Sequence, residues 1–542
     1  MTGREMIKQA FHCEPLERAP WVPFVGCHAA SLIGKTASEY LRDGDLILAG
    51  VKEAVRRYTP DGIPVLFDLQ LEAEVLGCRL VWADQNPPSV VSHPLQEGKA
   101  LKDLRVPTSA DGRIGLVLSA TRKIRAAFPD LALYGLITGP FTLALHLLGT
   151  NIFMDMFDKP GEVKALMEFC GAVCRAMADC YREAGCDVVA VVDPMTSQIG
   201  PEQFREFVTP FAAPVFSHIR RAGVLSSFFV CGHAQQNVEA MCECGPHNVS
   251  VDENIPLEFV RDVCLPRGIS FGGNLQLTTV LLLGTQNASQ RNALQCLDIG
   301  GGKGFVLAPG CDLPYAVPPE NLEAVTRVAL DPYQRDVART LGKEKVEEDL
   351  LDLAEYGQSD RIIIDIITLD SEACAPCQYM VESVKAITPE FEGIVEWREH
   401  KIKQKESLVF MTSLMVKNIP TICIDGKITF VSRIPAKEEL IAAIHQRIRE
   451  KLRFRIAKRK TSLIVLGDGG DACRRLKENA ERARYELGAD VEITMETDPD
   501  EVLAYGVAPV QTPAVVMAHY QVKSLRKVPE VNIIKEWMKE SL

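Results

Sequence analysis

Eight short apolar runs, ending near Gly, Pro, Asp or Cys and separated by amphipathic stretches, recur between Trp21 and Cys311. They are WVPFVG (21–26), GIPVLFD (62–68), LYGLITGP (133–140), VVAVVDP (188–194), SSFFVCG (226–232), NVSVDE (248–253), ISFGGN (269–274) and GFVLAPGC (304–311). Apolar runs alternating with helical patterns such as 161–184 and 202–223 are what builds a parallel sheet with helices packed on it. Eight such units predict an α/β fold of the (β/α)8 TIM type, whose chemistry sits where the strands end. LVWADQ (80–85) and SVVSHP (89–94) predict an added hairpin.

At 542 residues the chain exceeds one ordinary core, and past Arg335 its character changes. A charged helix over 343–356 leads into RIIIDIITLDSEACAPC, a strand followed by Cys374-Ala375-Pro376-Cys377. A second strand is entered through Ile419-Pro420-Thr421 and precedes a hairpin partner and a helix. The basic stretch 447–460 reads as a solvated helix end and linker. From Thr461 the same order of strand, helix and Pro-entered hairpin returns, so the chain holds a tandem repeat. The second copy keeps Cys473 and has Gly470 at the place of the first cysteine. The expected domains are 1–340, 345–450 and 453–542.

Composition narrows the function classes. With 60 basic against 72 acidic residues the net charge is -12, which argues against nucleic acid as the main partner. No apolar run reaches the roughly 18 residues a membrane span needs. Seventeen cysteines, an odd number without a secretory signal pattern at Met1, do not read as a disulfide framework. A cytoplasmic location follows as the expectation, where such thiols serve as core residues, metal ligands or redox groups. Cys374 and Cys377 fit the last class: a helix start lowers the pKa of the first thiol, and the C-x-x-C spacing permits ring closure.

Two further cysteines fall at strand ends, Cys231 in FFVCGHAQQN and Cys311 in LAPGCDLP. Both would project into the barrel mouth, and with His233 they form a candidate, incomplete zinc set with an open position for substrate. The other reading is that both are core cysteines and that His233 caps the next helix. Cys242 and Cys244 in MCECGPH, with His247 nearby, lack a second pair and read as core or surface thiols. His28 and His146 lie near strand ends and are further candidates.

The segments around Cys374–Cys377 and Pro420 resemble a thioredoxin-like domain over roughly 345–448, and 453–542 resembles the small redox-active-disulfide relatives of thioredoxin. In that fold the proline before the strand is cis, and Cys374 would be the attacking thiol. GPFTLALHLLGTNIFMDMFDKPGEV, AGCDVVAVVDPMTSQIGPEQFREFVTPF, VCGHAQQNVEAM, NVSVDENIPLEFV, GGNLQLTTVLLLGT and GFVLAPGCDLPYAVPPENLEAV resemble the uroporphyrinogen decarboxylase superfamily over nearly all of 1–335. Within it they look closer to the corrinoid-dependent methyltransferases of the methylcobalamin:coenzyme M type. The decarboxylase's arginine-rich RQAGRY motif is absent, replaced by FVGCHAASLIG. The methyltransferase's His-x-Cys and distant Cys are met by Cys231 and Cys311, with Phe229 where the histidine would stand.

The resemblance implies zinc on Cys231, Cys311 and the substitute His233. It also implies a methyl group delivered by methylcobalamin on a partner corrinoid protein, since this chain has no Asp-x-His-x-x-Gly motif, and a small thiol or similar acceptor. Asp193 matches a polar, catalytic position facing the family's cleft, and Glu253 and Asn274 match substrate-facing ones; each could instead satisfy backbone amides. The fused dithiol would keep the thiols reduced, and a homo-oligomer is compatible with this reading. Two alternatives stand beside it: a thiol-disulfide relay in which the barrel is a binding module, which Phe229 favours, and a porphyrinogen decarboxylase.

Overall fold

Seven of the eight apolar runs form strands of one parallel sheet: β1 (Gly62–Pro64), β4 (Ala132–Thr138), β5 (Val188–Val192), β6 (Leu225–Val230), β7 (Asn248–Val251), β8 (Ser270–Leu275) and β9 (Phe305–Pro309), paired in that order. This computed structural model describes residues 1–340, 356, 361–372, 374–416, 418–457, 462–517 and 521–541. The helix expected over 343–356 lies outside them except for Tyr356, as do Lys458, Arg459 and Lys460 of the basic stretch.

The eighth run does not form a strand. Trp21 makes a single parallel bridge to Leu307. Val22 N donates to Leu307 O at 2.9 Å, Leu307 N donates to Pro20 O at 2.9 Å, and Asp61 N donates to Trp21 O at 2.9 Å. Residues 20–22 therefore hydrogen-bond to β9 on one side and to the entrance of β1 on the other, joining the two edges of the curled sheet. Pro20 and Pro23 have no N–H to give, so the ladder cannot lengthen. The architecture is α/β with a curled parallel sheet, consistent with a TIM-type barrel. The added hairpin is present as β2 (Leu80–Val81) and β3 (Ser89–Val90), antiparallel.

Period-two alternation fills the inside of this sheet. Tyr134 and Leu136 of β4, Val188, Ala190 and Val192 of β5, Phe229 of β6 and Val306 and Ala308 of β9 share one buried cluster with Phe24 and Phe67. The helix Gly3–Phe11 adds Ile7, Ala10 and Phe11 to that cluster and so covers the end where the strands begin. The outer helices follow their sequence punctuation. Pro160–Ala184 starts on a proline, stops at left-handed Gly185, and buries Val163, Leu166, Met167, Cys170, Val173, Cys174, Met177 and Tyr181 at spacings of three and four.

Contacts divide the chain into two compact units, Met1–Lys345 with Glu372–Pro376, and Val346–Ser371 with Cys377–Leu542. The second holds two four-stranded sheets of one design. In the first, β10 (Ile362–Thr368) pairs parallel with β11 (Val395–Lys401) and antiparallel with β12 (Thr421–Ile424), which pairs with β13 (Lys427–Val431). In the second, β14 (Ser462–Leu466), β15 (Glu492–Glu496), β16 (Ala514–Met517) and β17 (Gln521–Leu525) repeat that order. The peptides Ile419–Pro420 and Thr512–Pro513, which enter β12 and β16, are both cis. The repeats share a buried cluster in which Leu503 and Ala508 of the second copy meet Tyr356, Ile363, Ile367 and Cys423 of the first. Among the described residues no helix is long and apolar enough to cross a membrane.

Candidate active site

The C-terminal ends of β6, β7 and β9 bring together the residues with most chemical potential. Cys231 follows β6 directly and Cys311 lies two residues past β9. Both are half-buried free thiols. Interaction with the Cys311 side chain, then burial and the nearby Asp252, push the Cys231 thiol well above its ordinary pKa. Eighty positions of sequence separate the pair, and the sheet closes that distance.

Asp252, the residue after β7, fixes the Cys231 loop. Its Oδ2 accepts from Gly232 N at 2.6 Å and from Asn254 Nδ2 at 2.8 Å, and its Oδ1 accepts from Asn254 N at 3.1 Å. Burial raises its carboxyl to about 6, and these bonds oppose the rise. Nothing in the sequence pattern singled out Asp252 beside Glu253. The available signal was its place as the first residue beyond a strand.

Glu253 is different. Its Oε1 accepts from Leu277 N at 3.1 Å, whereas its Oε2 is buried with no hydrogen-bond partner. Burial, then the Asp252 charge, raise this carboxyl to about 8. Space for it exists because residue 310 is glycine: a Cβ there would lie 2.3 Å from Oε2. Gly310 directly precedes Cys311, so the uncommitted oxygen packs against the backbone next to that cysteine.

Asp193 and Asn274, also expected at the site, are occupied by structure. Asp193 Oδ1 accepts from Thr142 N at 2.7 Å and Thr142 Oγ1 at 2.6 Å, and Oδ2 accepts from Phe141 N at 3.1 Å. It caps the helix Pro140–Leu148, and burial raises it to about 6. Asn274 Nδ2 donates to the carbonyls of Asp252 at 3.2 Å and Ile255 at 2.8 Å, holding the β7 and β8 loops together. His28 is a packed histidine: its Nε2 meets Tyr58 Oη at 2.8 Å, and burial lowers it to about 4. Burial likewise lowers buried His146, to about 3.

The zinc set expected from Cys231, Cys311 and His233 is not assembled. Among the described residues no group of three or more His, Cys, Asp or Glu side chains is placed to hold a metal. The reason is local. Phe229, at the position the resemblance gives to histidine, is buried in the barrel core, its ring centroid 5.4 Å from Phe24 and 6.1 Å from Phe67. His233 lies beyond Gly232, whose φ of +93° turns the chain, and its Nδ1 is buried without a partner. Two thiols fall short of the three or four ligands zinc takes.

Of the two C-x-x-C thiols Cys377 is buried and Cys374 half-buried, the latter immediately before the helix Ala375–Ile387. Cys473 is buried in the core of the second repeat, with its Sγ 3.6 Å from Asp468 Oδ1.

Comparison with known proteins places these observations. The family model for uroporphyrinogen decarboxylase (URO-D) matches residues 2–331. A methylcobamide:CoM methyltransferase (MtbA) of Methanosarcina acetivorans is 26% identical over 335 residues, 60% of this chain and 97% of that protein. A uroporphyrinogen decarboxylase of Anaeromyxobacter dehalogenans is 28% identical over 243 residues, covering 43% of this chain and 68% of that protein. A solved methyltransferase from Methanosarcina mazei superposes with a TM-score of 0.57 at 23% identity, covering 63% of this chain and all of its own.

Proposed function

The chain belongs to the uroporphyrinogen decarboxylase family through residues 2–331, and from that premise we propose that it is a methyltransferase carrying a methyl group from a methylated corrinoid to a small thiol. The corrinoid arrives on a partner protein and supplies the electrophilic methyl. The observation that carries this reading is the Cys231–Cys311 pair at the strand ends, with the uncommitted Oε2 of Glu253 packed against Gly310, the residue before Cys311. Alignment with a methylcobamide:CoM methyltransferase over 97% of that protein's length supports it.

The chain's own groups would work as follows. An acceptor R–SH must lose its proton as sulfur bonds to the methyl carbon and the carbon–cobalt bond breaks. Glu253 receives that proton at Oε2; with its pKa raised to about 8 it is matched to a thiol, as a carboxyl at its ordinary 4.5 is not. Cys231 and Cys311 hydrogen-bond to the acceptor sulfur and orient it, and Asp252 holds the Cys231 loop in place. Zinc is no part of this scheme, because the described residues do not provide its ligand set. We propose Asp193 and Asn274 as positioning residues that shape the mouth through the backbone bonds described above.

The thioredoxin-like reading of the second unit is supported by the C-x-x-C at a helix start and by the shared strand order of its two sheets. Its dithiol would keep the barrel's thiols reduced, an action favoured by carriage on the same chain. Cys374→Ser should therefore abolish sustained turnover without added reductant and leave turnover with reductant intact; unchanged activity in both conditions removes this role. A porphyrinogen decarboxylase remains the second reading, favoured by the 28% identical Anaeromyxobacter protein. Incubation of the full chain with methylcobalamin and coenzyme M, beside a parallel incubation with uroporphyrinogen, decides: S-methylation is expected, and coproporphyrinogen formation instead would overturn the proposal.

A further inference from the structure

At the opposite end of the same sheet a second pair of thiols meets. Cys242 lies in the helix Val238–Glu243 that precedes β7, and Cys264 ends the helix Leu257–Cys264 that precedes β8. Their Sγ atoms are 3.7 Å apart, and both side chains are buried. Cys244, the neighbour in sequence, takes no part; its thiol donates to Ala240 O at 3.4 Å.

Two buried cysteines in contact are ordinarily small core residues. Here two further observations bear on reactivity. Cys242 lines a cavity of about 490 Å³ together with His12, Arg220, His247 and Arg267, so one member of the pair borders space open to a small solute. The two thiols are also shifted in opposite directions. The hydrogen bond with Cys264 and the Arg267 guanidinium hold the Cys242 thiol below its ordinary pKa against the effect of burial, while the same bond and burial push Cys264 up against the pull of Arg267. Cys242, which borders the cavity, is placed as the attacking sulfur and Cys264, in contact with it, as the resolving one.

We propose that Cys242 and Cys264 form an oxidisable dithiol that reacts with small hydroperoxides. The Cys242 thiolate attacks the terminal peroxide oxygen, the O–O bond breaks, and the alkoxide takes a proton from solvent and departs as ROH, or as water when the oxidant is hydrogen peroxide. Cys242 is left as sulfenic acid. The Cys264 sulfur then displaces its hydroxyl, which leaves as water with the Cys264 proton, and the disulfide is formed. Overall ROOH and two thiols give ROH, water and one disulfide. The sulfurs need to close from 3.7 Å to about 2.05 Å, and Cys264 ends its helix and Cys242 lies in a helix of one and a half turns, so neither is held inside a long rigid element.

The test exposes the full, reduced chain to substoichiometric hydrogen peroxide, blocks remaining thiols, and maps disulfides by mass spectrometry after digestion with trypsin and a Glu-specific protease. A Cys242–Cys264 link as an early product is expected. Cys264→Ser should leave Cys242 as a sulfenic acid that dimedone captures. Arg267→Gln should slow the link roughly threefold or more through loss of thiolate, and this variant keeps the test decisive if Cys264→Ser does not fold. Persistence of both thiols while other cysteines oxidise would overturn the proposal, as would a link from Cys264 to half-exposed Cys13, whose charge also acts on it.

Discussion

One parallel sheet carries a thiol pair at each end, and one thiol of each pair is shifted, the two in opposite directions. At the mouth, Cys231 sits beside Cys311 and the Asp252 carboxylate, so that it stays protonated at neutral pH. At the floor, Cys242 sits beside Cys264 and Arg267, which lower its pKa against the effect of burial. Both pairs are contacts made by the fold between residues distant in sequence. The difference teaches that the partner and charges the fold brings to a thiol, and not cysteine spacing, assign its chemistry: Cys242 and Cys244, which look like a motif, are not the partners.

The comparison can be broken at several points, and the largest effect is expected at Glu253. Glu253→Gln should reduce methyl transfer about 100-fold by removing the proton acceptor. In the unaltered chain kcat/KM should rise with pH up to about 8, where Glu253 ionises, and in the variant that rise should vanish. Cys231→Ala or Cys311→Ala should lower turnover about tenfold or more through loss of acceptor orientation, with KM for the thiol raised. Asp252→Asn should lower it several-fold, since one bond to a charged oxygen is weakened and the Cys231 loop loosens. Cys242→Ser, at the floor, should leave turnover within about twofold and cost roughly 1 kcal/mol of stability, measured by denaturant unfolding.

A further distinction concerns stability against pH. Glu253 has a folded-state pKa raised from its ordinary 4.5 to about 8, so the folded chain binds the extra proton between those values. Its contribution is complete below pH 4.5 and is lost as pH rises through 8. Unfolding free energy should therefore fall over that window, and Glu253→Gln should flatten the fall.

Much of this organisation was legible before the fold was known. Seven strands lie within the apolar runs, since alternation with helical stretches leaves few other ways to bury both faces. The eighth failed because Pro20 and Pro23 flank its two bridging residues; Pro23 stood inside the run and Pro20 just before it, and the apolar pattern alone outweighed them. The recurrence of strand order in the second unit was readable from the Pro-entered hairpins, with Pro420 and Pro513 at matching places. At the candidate site, Cys231 and Cys311 were expected from their positions at strand ends and Glu253 from the family resemblance. Asp252 was missed, because a capping carboxylate and a solvent-facing one look alike in sequence. The histidine substitute failed for a geometric reason, the turn at Gly232, and the partnership of Cys242 with Cys264 depends on two helices meeting, which no periodicity encodes.

The central claim is methyl transfer at the mouth, and it is tested most directly by following loss of methylcobalamin and formation of S-methyl coenzyme M with the full chain, its Cys231→Ala variant and its Cys242→Ser variant side by side. Transfer by the unaltered chain and by Cys242→Ser, with about tenfold or greater loss in Cys231→Ala, is the predicted result. No transfer by the unaltered chain, or equal transfer by Cys231→Ala, would contradict it.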